Sequence, residues 1–234
     1  MRPDTAMVMA AGFGTRMGAL TRDRPKPLLP LAGGTLIDHG LDLAVEAGVD
    51  RAVVNLHYRG DQVRAHLAGR AMPQSIFSEE HPEILETGGG VVAALPLIDR
   101  DAFYTLNSDA VFVGPNPLSL LADAWAGVEA DGLLLLVPRQ AALAYTRPGD
   151  FTLAAPLARP ERRGPAPTAP YVYTGVQIIR AKAFLDPPGP VFSTNIVWDR
   201  LLAEGRLAAI PYPGQWIDVG TPDGLETAQK VLAS

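Results

Sequence analysis

A chain of 234 residues, 47% hydrophobic and 19% charged, has the length of one large α/β domain and can bury a substantial core. Its net charge of −5 argues against nucleic acid as a main partner, and without cysteine it has no disulfide framework, thiolate nucleophile or zinc–thiolate site. No apolar run approaches the ~20 residues that span a bilayer, and Met7 to Ala11 is too short for a signal h-region, so a cytoplasmic protein without membrane contact is expected.

The chain alternates strand-like and helix-like segments from the start. Ala6 to Ala10 reads as an apolar strand that breaks into a loop with Gly12 and Gly14, then Thr15 and Arg16, and after a turn the rigid Arg24-Pro25-Lys26-Pro27. Thr35 is placed to cap a helix from Leu36 to Ala47, stopped by Gly48. Ala52 to Leu56 is a short buried strand, Gly60 to Leu67 an amphipathic helix, and Ser75 to Ser78 a third strand. Gly88 to Leu95 reads as a helix entered through three glycines.

The second half continues the rhythm. Ala102 to Leu106 is a strand ending in Asn107-Ser108-Asp109, Leu118 to Val128 is helical, and Gly132 to Val137 is a buried central strand. From Arg139 to Pro170 the chain is rich in proline, arginine and alanine, with one strand near Phe151 to Leu153, and reads as an excursion and hairpin rather than a linker. Tyr171 to Ile179 is a strand, Asn195 to Glu204 a helix capped by Ser193 or Thr194, and Leu207 to Ile210 a strand. Trp216 to Pro222 leads into a last helix, Pro222 to Leu232, with proline in its first turn. This order predicts a doubly wound, mostly parallel sheet with helices on both faces, in a single domain over 1–234. Such sheets take ligands outside the carboxyl ends of their strands, where both the glycine loop and Asn107-Ser108-Asp109 fall.

The glycine loop is the first chemical signal. A glycine loop leaving a buried strand lets backbone N–H groups approach a phosphate chain without Cβ interference. Gly12 and Gly14 begin a dinucleotide fingerprint, but the third glycine, Gly18, comes one residue too late and no crossover helix opens there; nor does a Walker G-K-[ST] follow. Lysine is used three times, at Lys26, Lys182 and Lys230, in a chain that otherwise writes its cations as arginine. A lone lysine between two prolines suits a role for a compact ammonium. The histidines, His39, His57, His66 and His81, form no ligand pair at i, i+4 spacing.

Ala10-Ala11-Gly12-Phe13-Gly14-Thr15-Arg16, continued by Leu20-Thr21 and Pro25-Lys26-Pro27-Leu28, closely resembles the signature of the sugar-1-phosphate nucleotidyltransferases. Glu86-Thr87-Gly88-Gly89-Gly90, Leu106 to Asp109, Tyr173-Thr174-Gly175 and Trp216 to Thr221 resemble that family's later blocks, so the likeness spans almost the whole chain. Leu85 to Gly90, the Trp-Ile-Asp-Val-Gly-Thr tail and the short length are most similar to the N-acetylmuramate-1-phosphate uridylyltransferases; mannose-1-phosphate guanylyltransferases share the first block, so GDP-mannose formation is the alternative the resemblance implies. The length leaves no room for an added acyltransferase or β-helix domain, so one activity is expected.

The resemblance implies a Rossmann-like sheet of the nucleotidyltransferase type and attack of a sugar 1-phosphate on the α-phosphorus of a nucleoside triphosphate, with pyrophosphate leaving. The nucleophile is already an anion, so the site must offset anion–anion repulsion rather than supply a base. Backbone amides from Gly12 through Gly14 and Thr15 to Arg16 would cradle phosphate, Arg16 would hold the leaving β- and γ-phosphates, and Lys26 would bridge the α-phosphate and the incoming phosphate. Asp109 and Asp218 match the family's pair of carboxylates for Mg²⁺, meeting at the ends of neighbouring strands. Ala11 and Gly12, with Glu80 or Glu79 and the Thr87-Gly88 segment, would enclose the base, and Asn107, Thr174 and Gly175 the sugar. The expected partners are a nucleoside triphosphate and a sugar 1-phosphate, with the protein a monomer or homodimer.

Two departures stand out. The residue before the metal aspartate is Ser108 where relatives often carry glycine, which would narrow the pocket. The family's Glu-Lys-Pro sugar block has no recognisable counterpart beyond Pro160-Glu161-Arg162, and Trp216 reads equally as core or as sugar platform. A silent nucleotide or sugar-phosphate sensor on the same fold is the contrasting expectation; such a homologue has no reason to keep Arg16, Lys26, Asp109 and Asp218 together.

Overall fold

A computed structural model describes residues 2–233. Its centre is a nine-stranded sheet whose long members are β1 (Thr5–Met9), β2 (Arg51–Leu56), β3 (Gln74–Glu79), β4 (Ala102–Asn107), β5 (Gly132–Pro138), β6 (Tyr171–Arg180) and β7 (Leu207–Pro211). They lie in the order β7-β5-β6-β4-β1-β2-β3. β1 runs parallel to β2 and β4, β2 to β3, and β5 to β7, whereas β6 is antiparallel to both β4 and β5. The sheet is thus mostly parallel, as expected, with one reversed strand at its middle. Where β4 has ended, Tyr171 at the start of β6 pairs instead with Phe151 of a short hairpin, Phe151–Thr152 against Glu161–Arg162. That hairpin is the core of the arginine- and proline-rich excursion.

Both faces are covered, which explains why the strands read as continuous apolar runs. Helices α1 (Leu36–Glu46), α2 (Gly60–Leu67) and α4 (Pro117–Trp125) pack on the face carrying Ala6, Val8, Val54, Leu106, Leu133 and Leu135. Helices α3 (Glu86–Ile98) and α5 (Thr194–Ala203) pack on the opposite face, with Met7, Val53, Phe103, Leu134 and Leu136. Adjacent residues of each strand thus feed opposite cores, as the two-residue period of a pleated strand requires. Helix α6 (Pro222–Leu232) closes a third cluster with Met17, Leu31, Val111 and Ile217.

Helix starts follow local chemistry. Thr35 and Asp38 form a capping box at α1, Asn116 Oδ1 accepts from the N–H groups of Leu118 and Ser119 at α4, and Ser193 and Thr221 cap α5 and α6; each such cap contributes ~1 kcal/mol. Helix α3 starts earlier than expected, so Gly88, Gly89 and Gly90 lie inside it rather than leading into it. Packing explains why. A Cβ on Gly88 would lie 2.4 Å from the Phe192 ring, on Gly89 2.1 Å from the Pro190 carbonyl oxygen, and on Gly90 2.6 Å from Glu80 Oε1.

A small second sheet was not expected. Ala110–Val113 pairs antiparallel with Gln215–Asp218, which also runs parallel to Ala142–Leu143. Its register sets Asp218 opposite Ala110, one residue beyond Asp109. The two aspartates therefore meet through an antiparallel ladder lying over the carboxyl ends of β1 and β4, not at the ends of neighbouring parallel strands.

Candidate active site

The end of β1 opens into the glycine loop above the sheet. Ala10 and Ala11 remain buried, and Ala10 N–H donates to Asn55 Oδ1 at 2.7 Å. A Cβ on Gly12 would meet nothing within 4 Å, so this residue faces open space. Gly14 differs: its φ is 64°, and a Cβ there would lie 2.9 Å from Lys26 Cβ. Both the left-handed backbone and the close approach of the lysine stem demand glycine at that point. Thr15 and Arg16 then begin a 3₁₀ turn, Thr15–Thr21.

Lys26 opens a second 3₁₀ turn, Lys26–Leu28, set by the extended Pro25 before it. Its Nζ donates to Asp109 Oδ2 at 2.5 Å, with only 11% of the lysine side chain exposed. Asp218 Oδ2 accepts from Arg147 Nη2 at 3.2 Å. Arg16 has no hydrogen-bond or ion-pair partner among the described residues, but it reaches the same place. A Cβ on Gly220 would lie 2.7 Å from Arg16 Nη1 and 2.8 Å from Asp218 Oδ1. Gly220 is therefore the space in which that cation and that carboxylate approach each other.

These groups border a two-lobed cleft. The first lobe, of about 450 Å³, is lined by Ala11, Gly12, Gly14, Thr15, Lys26, Asn55 and Glu80, among others. The second, of about 350 Å³, includes Arg147, Arg162, Tyr173, Gly175, Gln177, Trp198, Trp216 and Asp218. Met9, Arg16, Thr87, Asn107, Asp109 and Ser193 line both and mark the junction.

Most expected residues come together here, with three exceptions. Thr174 is fully buried, its hydroxyl donating to the Leu135 carbonyl at 2.9 Å, and lines neither lobe. Gly88 packs behind the cleft, its N–H donating to the Phe192 carbonyl at 2.8 Å. Glu79, the alternative to Glu80, is half exposed and pairs with Arg64 outside the cleft. Glu80 itself is fully buried; its carboxylate accepts from Asn55 Nδ2 at 2.7 Å and from Leu85 N–H at 2.9 Å. Asn55 thus links Glu80 to the glycine loop through its bond from Ala10. A polar residue inside the apolar run Ala52 to Leu56 was the sequence signal for it.

Gly175 has a φ of 85°, and a Cβ there would lie 2.7 Å from Asn107 Nδ2, so the glycine makes room for the junction asparagine. Ser108 lines the first lobe, and its hydroxyl donates to the Met9 carbonyl at 2.7 Å, tying the end of β4 to that of β1. Trp216 is both core and wall: it is 5% exposed and lines the second lobe. Tyr173, packed edge-on against Trp198 with ring centroids 4.6 Å apart, is pushed above the usual phenol range by burial and so stays neutral in the lobe wall. Arg147, within the excursion, was not singled out from sequence; Arg162 entered there only as the end of Pro160-Glu161-Arg162, a poor substitute for the family's sugar block, and it lines the second lobe.

The MobA-like NTP transferase domain matches residues 6–166. The chain belongs to that family. N-acetylmuramate alpha-1-phosphate uridylyltransferase of Caulobacter vibrioides is 40% identical over 99% of this chain and 98% of the relative. The protein of the same name from Neisseria meningitidis is 32% identical over 98% of both. In fold, the inositol-1-phosphate CTP transferase from T. maritima aligns with a TM-score of 0.80 over 100% of this chain and 96% of that one, at 20% identity. The transferase is thus a sugar-1-phosphate nucleotidyltransferase, and its cleft, with cations and carboxylates facing each other where the lobes join, suits the meeting of two phosphorylated substrates.

Proposed function

We propose that the enzyme transfers a uridylyl group from UTP to N-acetylmuramate 1-phosphate, forming UDP-N-acetylmuramic acid and pyrophosphate in the cytoplasm. The observation that carries the reading is the convergence of Arg16, Lys26, Asp109 and Asp218 at the lobe junction, in a chain whose near full-length relatives are named for this reaction. A binding-only sensor has no use for all four.

In this reading UTP occupies the first lobe, against Ala11, Gly12, Glu80 and Thr87, with its phosphates along Gly12 to Arg16. The sugar lies in the second lobe, beside Asn107 and Gly175, with its phosphate at the junction. A phosphate oxygen of the sugar forms the new bond to the α-phosphorus while the bond from that phosphorus to the α–β bridging oxygen breaks, and pyrophosphate leaves. Lys26, held between two prolines, stabilises the charge gathered on the transferring group. Arg16, without a counter-ion among the described residues, takes the departing phosphates.

Asp109 and Asp218 fit Mg²⁺. The ion favours one or two carboxylates completed by substrate phosphates and water, and no group of three or more His, Asp or Glu forms a closed cage among the described residues. Bound there, Mg²⁺ would neutralise phosphate charge. Both carboxylates currently bond to a cation, so Lys26 and Arg147 hold the places in which that charge is needed.

A pyrophosphate-release screen crossing UTP, GTP, dTTP and CTP with N-acetylmuramate, mannose and glucose 1-phosphates tests the assignment. UTP with N-acetylmuramate 1-phosphate is expected to be the preferred pair by at least tenfold in kcat/KM, about 1.4 kcal/mol. Preference for GTP with mannose 1-phosphate would overturn it.

A further inference from the structure

The second lobe places two arginines beyond the junction, where a neutral sugar would need no cation. Phosphate contacts belong to the junction, where Arg16 already stands. Beyond it, aromatic walls and the Gln177 and Asn195 side chains suffice for hydroxyl and amide groups, yet Arg147 and Arg162 also line the lobe. A guanidinium facing a ligand that offers it no acceptor weakens binding by losing its water.

The two arginines are held differently. Arg162 is fixed: Nε donates to Asp199 Oδ1 at 2.9 Å, Nη1 to Asn195 Oδ1 at 2.9 Å, and the guanidinium lies 5.0 and 5.3 Å from the Phe151 and Trp198 ring centroids. Arg147 is loosely held. Its side chain is 59% exposed, it lies 4.8 Å from the Tyr145 ring centroid, and its one acceptor among the described residues is Asp218 Oδ2. The other carboxylates of the lobe are already engaged: Asp109 with Lys26, and Asp150 with the Tyr173 N–H at 3.0 Å. Arg147 therefore has N–H donors with no protein acceptor among the described residues. Asp218, its single counter-ion, is also a carboxylate suited to Mg²⁺.

We propose that Arg147, supported by the fixed charge of Arg162, recognises a carboxylate carried by the sugar 1-phosphate, making the second lobe selective for an acidic sugar. The inference rests on the reading of the second lobe as the sugar site. A planar guanidinium with several free N–H groups matches a carboxylate in two parallel hydrogen bonds. Asp218 holds the arginine over the lobe, and a metal held by Asp109 and Asp218 would leave Arg147 to the acidic sugar. The N-acetylmuramate side chain carries such a carboxylate; N-acetylglucosamine 1-phosphate, alike in the rest of the ring, does not.

The test compares N-acetylmuramate 1-phosphate, its methyl ester and N-acetylglucosamine 1-phosphate on wild type, Arg147→Gln, Arg147→Lys and Arg162→Gln. Wild type is expected to prefer the acid over the ester by on the order of 10-fold in kcat/KM, through KM. Arg147→Gln should erase most of that ratio, Arg147→Lys should retain part of it, and Arg162→Gln should reduce it less. Calorimetric binding of the acid and the ester without nucleotide or Mg²⁺ gives a second readout independent of turnover. An unchanged acid-to-ester ratio in Arg147→Gln, with the acid still the preferred substrate, overturns the subsite and leaves the proposed activity standing. A wild-type enzyme that uses mannose or glucose 1-phosphate but not the acid overturns both.

Discussion

Two ends of the same sheet gather aspartates and cations, and they do so to opposite effect. At the end away from the cleft, Asp131 sits just before β5, its side chain 7% exposed. It accepts from Arg206 through two nitrogens and lies 2.9 Å from Lys182 Nζ and 3.5 Å from Arg180 Nε. These partners flank β7 and β6, so one carboxylate ties together the ends of β5, β6 and β7. At the cleft end, among the described residues, Asp109 and Asp218 have one cation each and Arg16 pairs with no anion. The far end is saturated, whereas the cleft end keeps bonding capacity for something else. Charge density alone does not mark a site; unsatisfied charge facing a cavity does.

The sharpest break of this contrast is Lys26→Ala, expected to lower turnover roughly 1,000-fold, the scale for losing a group that meets transition-state charge. Pyrophosphate release with a circular-dichroism melt would measure it, and near-normal turnover would remove Lys26 from the mechanism. Asp218→Asn should lower turnover roughly 100-fold at fixed Mg²⁺ and raise the Mg²⁺ concentration needed for half-maximal rate. An unchanged metal titration sinks the two-aspartate site.

Asp131→Asn should act only on stability, by about 2 kcal/mol, less than for a fully buried pair because its cations are partly in water. Hydrogen bonding to Arg206 holds the Asp131 carboxyl below the usual range, although burial pushes the other way. Its contribution is therefore complete above the unfolded-state value near 4 and lost as pH falls through the lower folded value. Denaturant titrations from pH 7 to pH 3 should show the variant losing less stability than wild type over that acid limb, with turnover at pH 7 unchanged. Smallest is Gly220→Ala, where the new Cβ would push Arg16 and Asp218 apart. Both are ends of side chains that can shift, so turnover should fall only about tenfold, against an unchanged melting temperature.

Much of the cleft was legible because its chemistry is local. Gly12, Gly14, Arg16 and Lys26 fall within one stretch, where loop flexibility and proline rigidity are written in adjacent residues. The two faces of the sheet were legible for a similar reason, since strand and helix periods reflect burial directly. Thr174 was misplaced because motif proximity does not say which way a strand residue points; its neighbour Gly175 faces the lobe and Thr174 the core. Gly88 was misplaced because a glycine that receives a phenylalanine ring looks the same in sequence as one that receives a ligand. Arg147 was hidden in the excursion, where proline and arginine carry no period that gives direction, and Arg162 was visible there only as part of a poor match to the family's sugar block.

The sequence alone determined the alternating strand–helix order, the loop that leaves β1 and the charged residues a phosphate-transfer site requires, because hydrophobic period, turn chemistry and charge are properties of neighbouring residues. Only the tertiary structure decided which carboxylates face the cleft with a single cation each. The antiparallel ladder of Ala110–Val113 with Gln215–Asp218 brings Asp218 beside Asp109, and β6, reversed between two parallel neighbours, carries Gly175 to Asn107. Those approaches join residues far apart in the chain, and strand pairing depends on backbone geometry that side-chain order does not encode.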